Sequence, residues 1–524
     1  MKISKTLLSG ILAVGLAASA SAQTYVRLEG STAFRAGISQ AIVDDMIASG
    51  SGSPTVVYWG SSFRGGNQAI ISGTLAGIGW TVVETYWTGS ASGVIDVGLD
   101  NVQSHAFPSL IGNVTDSSTN FLTNIPGTSN PLVVGGTNQS TATAPTSFDT
   151  AAPDAAMTDG YVGSIIKLLA DVNVTGAFLS GSTAAQVQSA MTTANLTDCG
   201  SNTYAAGAKT VGIIPMQWVL GTGTSEHGGQ VSEFATNITE QQAKQLLTNG
   251  WINFSELSGT SIDNGNFAIA IGRSEDSGSR EVAIGEALDG SNFDIAPVQA
   301  EIVYTATNGG VSNTGATENV TQATNGYFTG GVSGTVQSIV KFPTNNPLNT
   351  ETSLSWAGAG HSGYINGSDV ATVLESYMPL LTGTNISKFF LGTSNTGFVA
   401  GSSTCTLVGY VGLSDAASAI SKGCHALSYN GVPYTLANVQ NGSYSMWGYE
   451  HMYYTNALAI QTSNLTKQAC DSIADYTFRF DANCNKDDGD NGHDGASSSN
   501  AASGVLYGTM HVVRTAQEGG ILAP

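Results

Sequence analysis

The sequence predicts an α/β protein with more than one lobe. Three observations carry this. Apolar strand-like runs alternate with helix-like stretches, three strand-to-helix corners are built from glycine and hydroxyl residues, and 524 residues exceed what one hydrophobic core usually serves. Ligands of open α/β sheets bind beyond the carboxyl ends of the strands, so three such corners in one chain point to a binding site.

Met1 to Ala22 has the parts of a secretory signal: Lys2 and Lys5, the apolar run Leu7 to Ala18, and Ala20-Ser21-Ala22 as a cleavage site. The mature chain is expected to begin at Gln23. No Cys follows the apolar run to take a lipid, and no later stretch is long and apolar enough to span a bilayer. A soluble, exported product, periplasmic or extracellular, is expected.

Tyr25 to Glu29 reads as a strand, Gly30-Ser31-Thr32 as a turn, and Ala33 to Met46 as a helix with Phe34, Ile38, Ile42 and Met46 on one stripe. Thr81 to Trp87 repeats the pattern, followed by Gly89-Ser90-Ala91-Ser92-Gly93-Val94-Ile95. Asn101 to Ala152 is rich in Thr, Ser, Asn and Pro without clear period and reads as a long inserted loop, as does Thr305 to Asn349. Thr239-Glu240-Gln241-Gln242 is a capping box opening a helix that Gly250 closes. No repeat period is evident.

Phe267 to Arg280 is the most informative corner. Its apolar run to Ile271 reads as a buried strand, and Arg280 to Leu288 has the spacing of a short helix. Ser277 to Ser279 then sit at the helix N-terminus, where unpaired N–H groups and the dipole favour an anion. Arg273 adds a bidentate, charge-assisted partner for a tetrahedral oxyanion. The competing reading is a capped turn with an exposed ion pair.

The chain holds 17 basic residues and 38 acids, for a net charge of −21. Loss of Lys2 and Lys5 with the leader leaves 15 against 38, or −23. Nucleic acid and anionic membranes are poor partners for such a surface. A buried anion site is governed instead by local N–H, hydroxyl and Arg groups. The 65 glycines, with many Ser, Thr and Asn, suggest a loop-rich extracellular protein.

Five cysteines are present: Cys199, Cys405, Cys424, Cys470 and Cys484. In an oxidising compartment the sequence-local pairs Cys405–Cys424 and Cys470–Cys484 are the economical expectation, leaving Cys199 free. Asp481 to Gly495 resembles part of a calcium loop. Lys486 stands where that loop needs Gly and no Glu closes it, so a solvated acidic loop is expected. His361 and His425 have no partner spacing for a metal. No metal and no cofactor are expected.

Several motifs, in order, resemble the phosphate-binding periplasmic proteins of ABC transporters, members of the type 2 periplasmic binding protein superfamily. Gly30-Ser31-Thr32-Ala33-Phe34 is similar to the family's first helix start. Gly89-Ser90-Ala91-Ser92-Gly93-Val94 is similar to its Gly-Ser-x-x-Gly turn. Pro153-Asp154-Ala155-Ala156-Met157 resembles its Ser-Asp-x-Pro segment, with Pro153 for Ser and Ala156 for Pro. Arg273-Ser274-Glu275-Asp276-Ser277-Gly278-Ser279 is similar to Arg-Ser-Asp-Gly-Ser-Gly-Thr, the most specific of the set, with Glu275 for Asp. Val408-Gly409-Tyr410-Val411 and Asn441 to Trp447 resemble late family segments, with Ser445 where Pro is usual. The likeness runs from about Tyr25 to Tyr454 in scattered pieces.

That resemblance implies a two-lobed α/β fold of periplasmic binding protein type 2, with a ligand cleft between lobes and large loop-rich insertions. It implies a first part of lobe 1 over 23–212, carrying the insertion at about 101–152, then lobe 2 over 213–412. Residues 413–460 return to lobe 1, and 461–524 form a C-terminal extension with the acidic loop. The chain would cross between lobes near Val211 to Trp218 and near Val408 to Leu413. Ser31, Thr32, Phe34 and Ser90 would offer hydroxyl and N–H donors from the first lobe, and Arg273, Ser277, Gly278 and Ser279 from the second.

Asp154 and Glu275 would face the ligand. A carboxylate repels an anion unless that anion carries a proton to donate, so these acids select phosphate over sulfate. Each acid also has a plainer role, Asp154 in a Pro/Ala turn and Glu275 paired with Arg280.

No G-x-S-x-G elbow or H-E-x-x-H motif is present, and no catalytic residue is assigned. The expected function is capture of inorganic phosphate for an ABC permease. The alternative is a secreted surface or matrix protein of the same fold, with its insertions serving adhesion.

Overall fold

In a computed structural model of the chain the described residues are 23–50, 54–59, 63, 65–100, 107–108, 145, 148–149, 151–165, 196–201, 209–221, 235–264, 266–273, 277–288, 299, 301–304, 336–341, 364, 367–374, 405–484, 510–514 and 522–523. Residues 1–22, read above as a leader, most of both irregular stretches, Glu275, His361 and the acidic segment beyond Cys484 lie outside them.

The main elements, in chain order, are strand β1 (Thr24–Gly30), helix α1 (Arg35–Ala48), β2 (Thr55–Trp59), β3 (Gln68–Leu75), β4 (Gly79–Tyr86), α2 (Ser90–Leu99), β5 (Ala155–Thr158), β6 (Leu196–Asp198) and β7 (Gly212–Leu220). They continue with α3 (Glu240–Asn249), β8 (Trp251–Asn253), β9 (Phe267–Ile271), α4 (Gly278–Ala287), α5 (Gly367–Leu374), β10 (Cys405–Gly412), α6 (Leu413–Ser421), β11 (His425–Ala426), β12 (Trp447–Thr455) and α7 (Leu465–Cys484).

One twelve-stranded mixed sheet runs through the molecule in the order β8-β9-β10-β7-β12-β5-β1-β4-β3-β2, with β11 added to β7 and β6 to β12. β4, β1 and β5 are parallel to one another, as are β9 and β10. Between these two parallel blocks lies the antiparallel pair β7 and β12, registered Trp447 to Pro215 and Glu450 to Gly212. Every residue of β5 and β9, strands of the two parallel blocks, and of the antiparallel β7 between them is buried, as strands covered on both faces require. The described architecture is therefore the α/β class expected, in two halves about a central strand pair.

Local chemistry explains several boundaries. α1 starts at Arg35 rather than at Ala33 because the Ser31 hydroxyl accepts the Phe34 N–H at 3.2 Å and holds residues 31–34 as a turn. The Thr239 hydroxyl accepts the Gln242 N–H at 3.2 Å, the Gln242 side chain returns to the Thr239 N–H at 2.8 Å, and Gly250 ends α3. This is the capping box read from the sequence.

The cysteine pairing is corrected. Cys199, Cys424 and Cys470 are all buried and form no disulfide. Cys470 and Cys484 lie on the same helix, α7, and fourteen residues of helix separate them by about 21 Å. Cys424 adjoins β11, which pairs with the edge of β7 opposite to β10, where Cys405 begins. Two strand spacings, about 9.6 Å, exceed the reach of a disulfide.

Candidate anion-binding site

The carboxyl ends of five strands meet where the two parallel blocks face each other. From one half come the turn after β1, the N-terminus of α2 after β4, and Thr158-Asp159-Gly160 after β5. From the other come the segment after β9 that leads into α4, and the start of α6 after β10. Helix N-termini bring unpaired N–H groups and the positive end of the dipole, so this meeting point favours negative charge.

Asp159 occupies it. Ser90, first residue of α2, donates its hydroxyl to one Asp159 oxygen, and Ser279 of α4 donates to the other at 3.1 Å. All three side chains are buried. One carboxylate thus joins the N-termini of two helices that belong to opposite halves of the sheet. Gly278 allows the approach: a Cβ there would stand 2.6 Å from the Ser90 hydroxyl and 2.7 Å from the Asp159 carboxyl carbon. Beside them, the buried Ser277 hydroxyl has no hydrogen-bond partner among the described residues. A buried hydroxyl without a partner costs about 1–3 kcal/mol, and an oxyanion at this spot would accept from it.

Arg273, buried directly after β9, is fixed from several sides. Its N–H donates to the Tyr410 hydroxyl at 3.4 Å, and its carbonyl accepts from the Arg280 guanidinium at 3.2 Å. Its Nε donates to the Tyr364 carbonyl at 3.2 Å. Burial pushes the Tyr410 phenol up despite the nearby Arg280 and Arg273, so it stays a protonated group that also donates to Gln299 at 3.0 Å. Asp415 in the first turn of α6 lies near both Arg273 and Arg35 of α1. Burial raises its carboxyl, and those two cations oppose the rise. The Arg35 guanidinium donates to the Asn67 side chain at 2.5 Å. The cluster therefore carries cations from both halves.

The expected site residues divide as follows. Ser90, Arg273, Ser277, Gly278 and Ser279 come together at the strand ends. Ser31 and Phe34 lie in the neighbouring turn, but the Ser31 N–H is engaged by the Met157 carbonyl at 2.9 Å and the Phe34 N–H by Ser31. Thr32 is half-buried in that turn. Asp154 sits at the opposite end of β5, accepting the Arg27 N–H at 2.8 Å. Glu275 is outside the described residues. Asp159 was not singled out in the sequence; its signal is Thr158-Asp159-Gly160 directly after a short apolar strand, the same strand-then-turn signature as Gly30-Ser31.

Among the described residues no group of three His, Cys, Asp or Glu is placed to hold a metal ion. No helix there is long and apolar enough to cross a membrane.

No protein-family model and no curated protein matches the chain. Among solved structures it is similar to a protein described as a phosphate ABC transporter substrate-binding protein from Clostridium perfringens, with bound phosphate, at 11% identity over 87% of this chain and 93% of that one, TM-score 0.33. It is also similar to PstS from Borrelia burgdorferi (12% identity, 86% and 92% covered, TM-score 0.30). A third is an ABC-type phosphate transport receptor from Vibrio cholerae (10% identity, 86% and 93% covered, TM-score 0.31). These are the class that the sequence motifs resemble. At such scores the likeness carries no weight by itself; the functional reading stands on the residues of this chain.

Proposed function

We propose that this chain is an exported solute-binding protein that captures inorganic phosphate between the two halves of its sheet and delivers it to an ABC permease, with no chemical step. The observation that carries this reading is the bridge from Ser90 through Asp159 to Ser279, together with the buried Ser277 hydroxyl, which has no hydrogen-bond partner among the described residues, and the buried Arg273 on the segment that leads into α4. These groups supply donors, a fixed cation and one carboxylate in a dry place, the set needed for a tetrahedral anion that still carries a proton.

In this reading Asp159 takes the part that the sequence assigned to Asp154. Phosphate near neutral pH donates its proton to the Asp159 carboxylate; sulfate has none and is repelled. Ser277 donates its hydroxyl, and the backbone N–H groups at Ser90, Gly278 and Ser279 donate from the two helix N-termini, with Arg273 as counter-charge; the single hydroxyl protons of Ser90 and Ser279 stay on Asp159. Ligand and carboxylate together fasten the two helix N-termini, so capture and closure are one event.

Calorimetric titration of phosphate-stripped mature protein with phosphate and with sulfate tests this. Phosphate is expected to bind at least about 100-fold more tightly than sulfate, a difference of about 2.7 kcal/mol. Equal affinity overturns the role of Asp159. No heat and no thermal stabilisation with either anion overturns capture itself and favours the adhesive or matrix role.

A further inference from the structure

We propose that Glu450, which stands behind Asp159 and outside the ligand contacts, is a carboxyl group kept neutral so that the central strand adds no negative charge where the oxyanion is held. The proposal rests on the anion-capture reading above. It begins from the alternation of β12. Trp447, Tyr449, His451 and Tyr453 form a ladder on one face, with successive ring centroids 5.4, 6.4 and 5.5 Å apart. Glu450 points to the other face, with Gly448, whose added Cβ would stand 2.5 Å from Val282 of α4 and 3.4 Å from the Asp159 carbonyl oxygen.

Glu450 is registered opposite Gly212 of β7, so the two share a face. The space above Gly212 is filled by the Phe34 ring, 2.6 Å from where a Cβ would sit. An aromatic ring therefore covers the sheet position across from Glu450, on the face that Glu450 occupies. Glu450 is 0% exposed, and neither of its carboxyl oxygens has a hydrogen-bond partner among the described residues.

Elements packed on β12 bring Asp159 from the end of β5, Asp96 from α2, Arg280, Glu281 and Glu286 from α4, the last paired with Arg514 at 2.9 Å, and Asp198 from β6, whose carboxylate meets His451 at 3.2 Å. β7 and the helical turn Asn456–Ala459 bring no ionisable side chain. Burial, then the charge of Asp159, pushes the Glu450 carboxyl well above the usual range. Asp159 has two hydroxyl donors and Glu450 has none among the described residues, so the proton is held by Glu450.

An oxyanion held at Asp159 raises the Glu450 carboxyl further. Below the free protein's transition Glu450 is protonated with or without ligand, and pH has no effect through it. Above that transition, binding takes up a proton and affinity falls, by up to about tenfold per pH unit. Glu450→Gln keeps shape and neutrality and removes this proton.

The experiment compares the wild type, Glu450→Gln and Glu450→Asp as mature protein. Infrared difference spectra of the ligand-free proteins near pH 7 are expected to show a protonated-carboxyl stretch in the wild type and in Glu450→Asp that is lost in Glu450→Gln. Phosphate titrations from about pH 6 to about pH 10 are expected to agree within about twofold near neutrality and to diverge in alkali, the Gln variant falling less steeply by up to about tenfold per pH unit. The second ionisation of phosphate affects all three proteins alike and cancels in the comparison. Identical infrared spectra, or parallel pH profiles, overturn the proposal. A wild type that shows the infrared band but gives no heat with phosphate overturns the capture reading and the link to the ligand with it, while still locating the proton.

Discussion

Ser279 donates its hydroxyl to Asp159 over 3.1 Å, across the boundary between the two halves of the sheet. The acceptor is charged and the pair is buried, so this bond and its counterpart from Ser90 belong to the stronger class, about 1.5–3 kcal/mol each. Their shared acceptor makes Asp159 the first residue to alter. Asp159→Asn retains size but supplies an N–H group to the ligand, and sulfate then loses its repulsion. The phosphate-over-sulfate ratio is expected to narrow by at least about tenfold in parallel titrations; an unchanged ratio places selectivity elsewhere.

Arg273 is held by main-chain bonds to Tyr410 and Arg280, which a change of its side chain leaves in place. Arg273→Lys retains charge and loses the planar fork. Phosphate affinity is expected to drop about 10- to 100-fold, or about 1.4–2.7 kcal/mol, with little change in melting temperature. Equal affinity in calorimetry would show that the guanidinium does not touch the ligand.

Gly278 permits the close approach of the two helix N-termini. Ala is the better helix former by about 1 kcal/mol, so Gly278→Ala would stabilise an isolated helix. Here its methyl would meet Ser90 and Asp159 at 2.6 and 2.7 Å and hold the halves apart. The stabilisation that phosphate gives the wild type in thermal melts is expected to vanish in this variant. A full ligand-induced shift would refute the close approach.

The corners of this site were legible in the sequence because the glycine-and-hydroxyl turn recurs at three strand ends; one alone reads as a common loop. Ser90, Arg273, Ser277, Gly278 and Ser279 follow strands whose apolar runs are plain to read. Asp159 was harder. β5 is only four residues long, and the motif-like acid Asp154 stands at its other end, near Arg27. Glu450 was hidden differently: it is one acid in the aromatic strand Trp447–Thr455, and its burial follows from a ring, Phe34, more than four hundred positions earlier in the chain. The cysteine expectation failed because proximity in sequence is a poor guide once a helix or an intervening strand fixes the spacing.

Asp154 has its own pH signature. Burial raises its carboxyl to about 6, against the Arg27 N–H and charge that oppose the rise. The folded value lies above the unfolded one, so the folded state holds the proton more tightly. Stability is then lost as pH rises from about 4 to about 6 and stays lower above that. Asp154→Asn removes this loss. With 26% of the side chain exposed, we discount the effect to about 1 kcal/mol gained near pH 8 relative to pH 4, read from denaturant melts at both values.

The thiols of Cys199, Cys424 and Cys470 are buried in the native chain. Burial pushes the Cys199 and Cys470 thiols well up, so little thiolate is available. A thiol reagent is expected to leave all three unreacted under native conditions and to titrate them in denaturant. Fast native labelling of Cys199 or Cys470 would contradict the packing of α7 against the sheet.

The sheet passes through both halves without a break, its middle formed by β7 and β12 lying side by side. A molecule hung on two loose tethers can gape freely; one joined by a hydrogen-bonded ribbon resists stretch and shear and yields mainly in torsion. That ribbon acts as a torsion bar. In the proposed capture, opening of the halves twists this ribbon, and its recoil brings the two helix N-termini back to the same facing position.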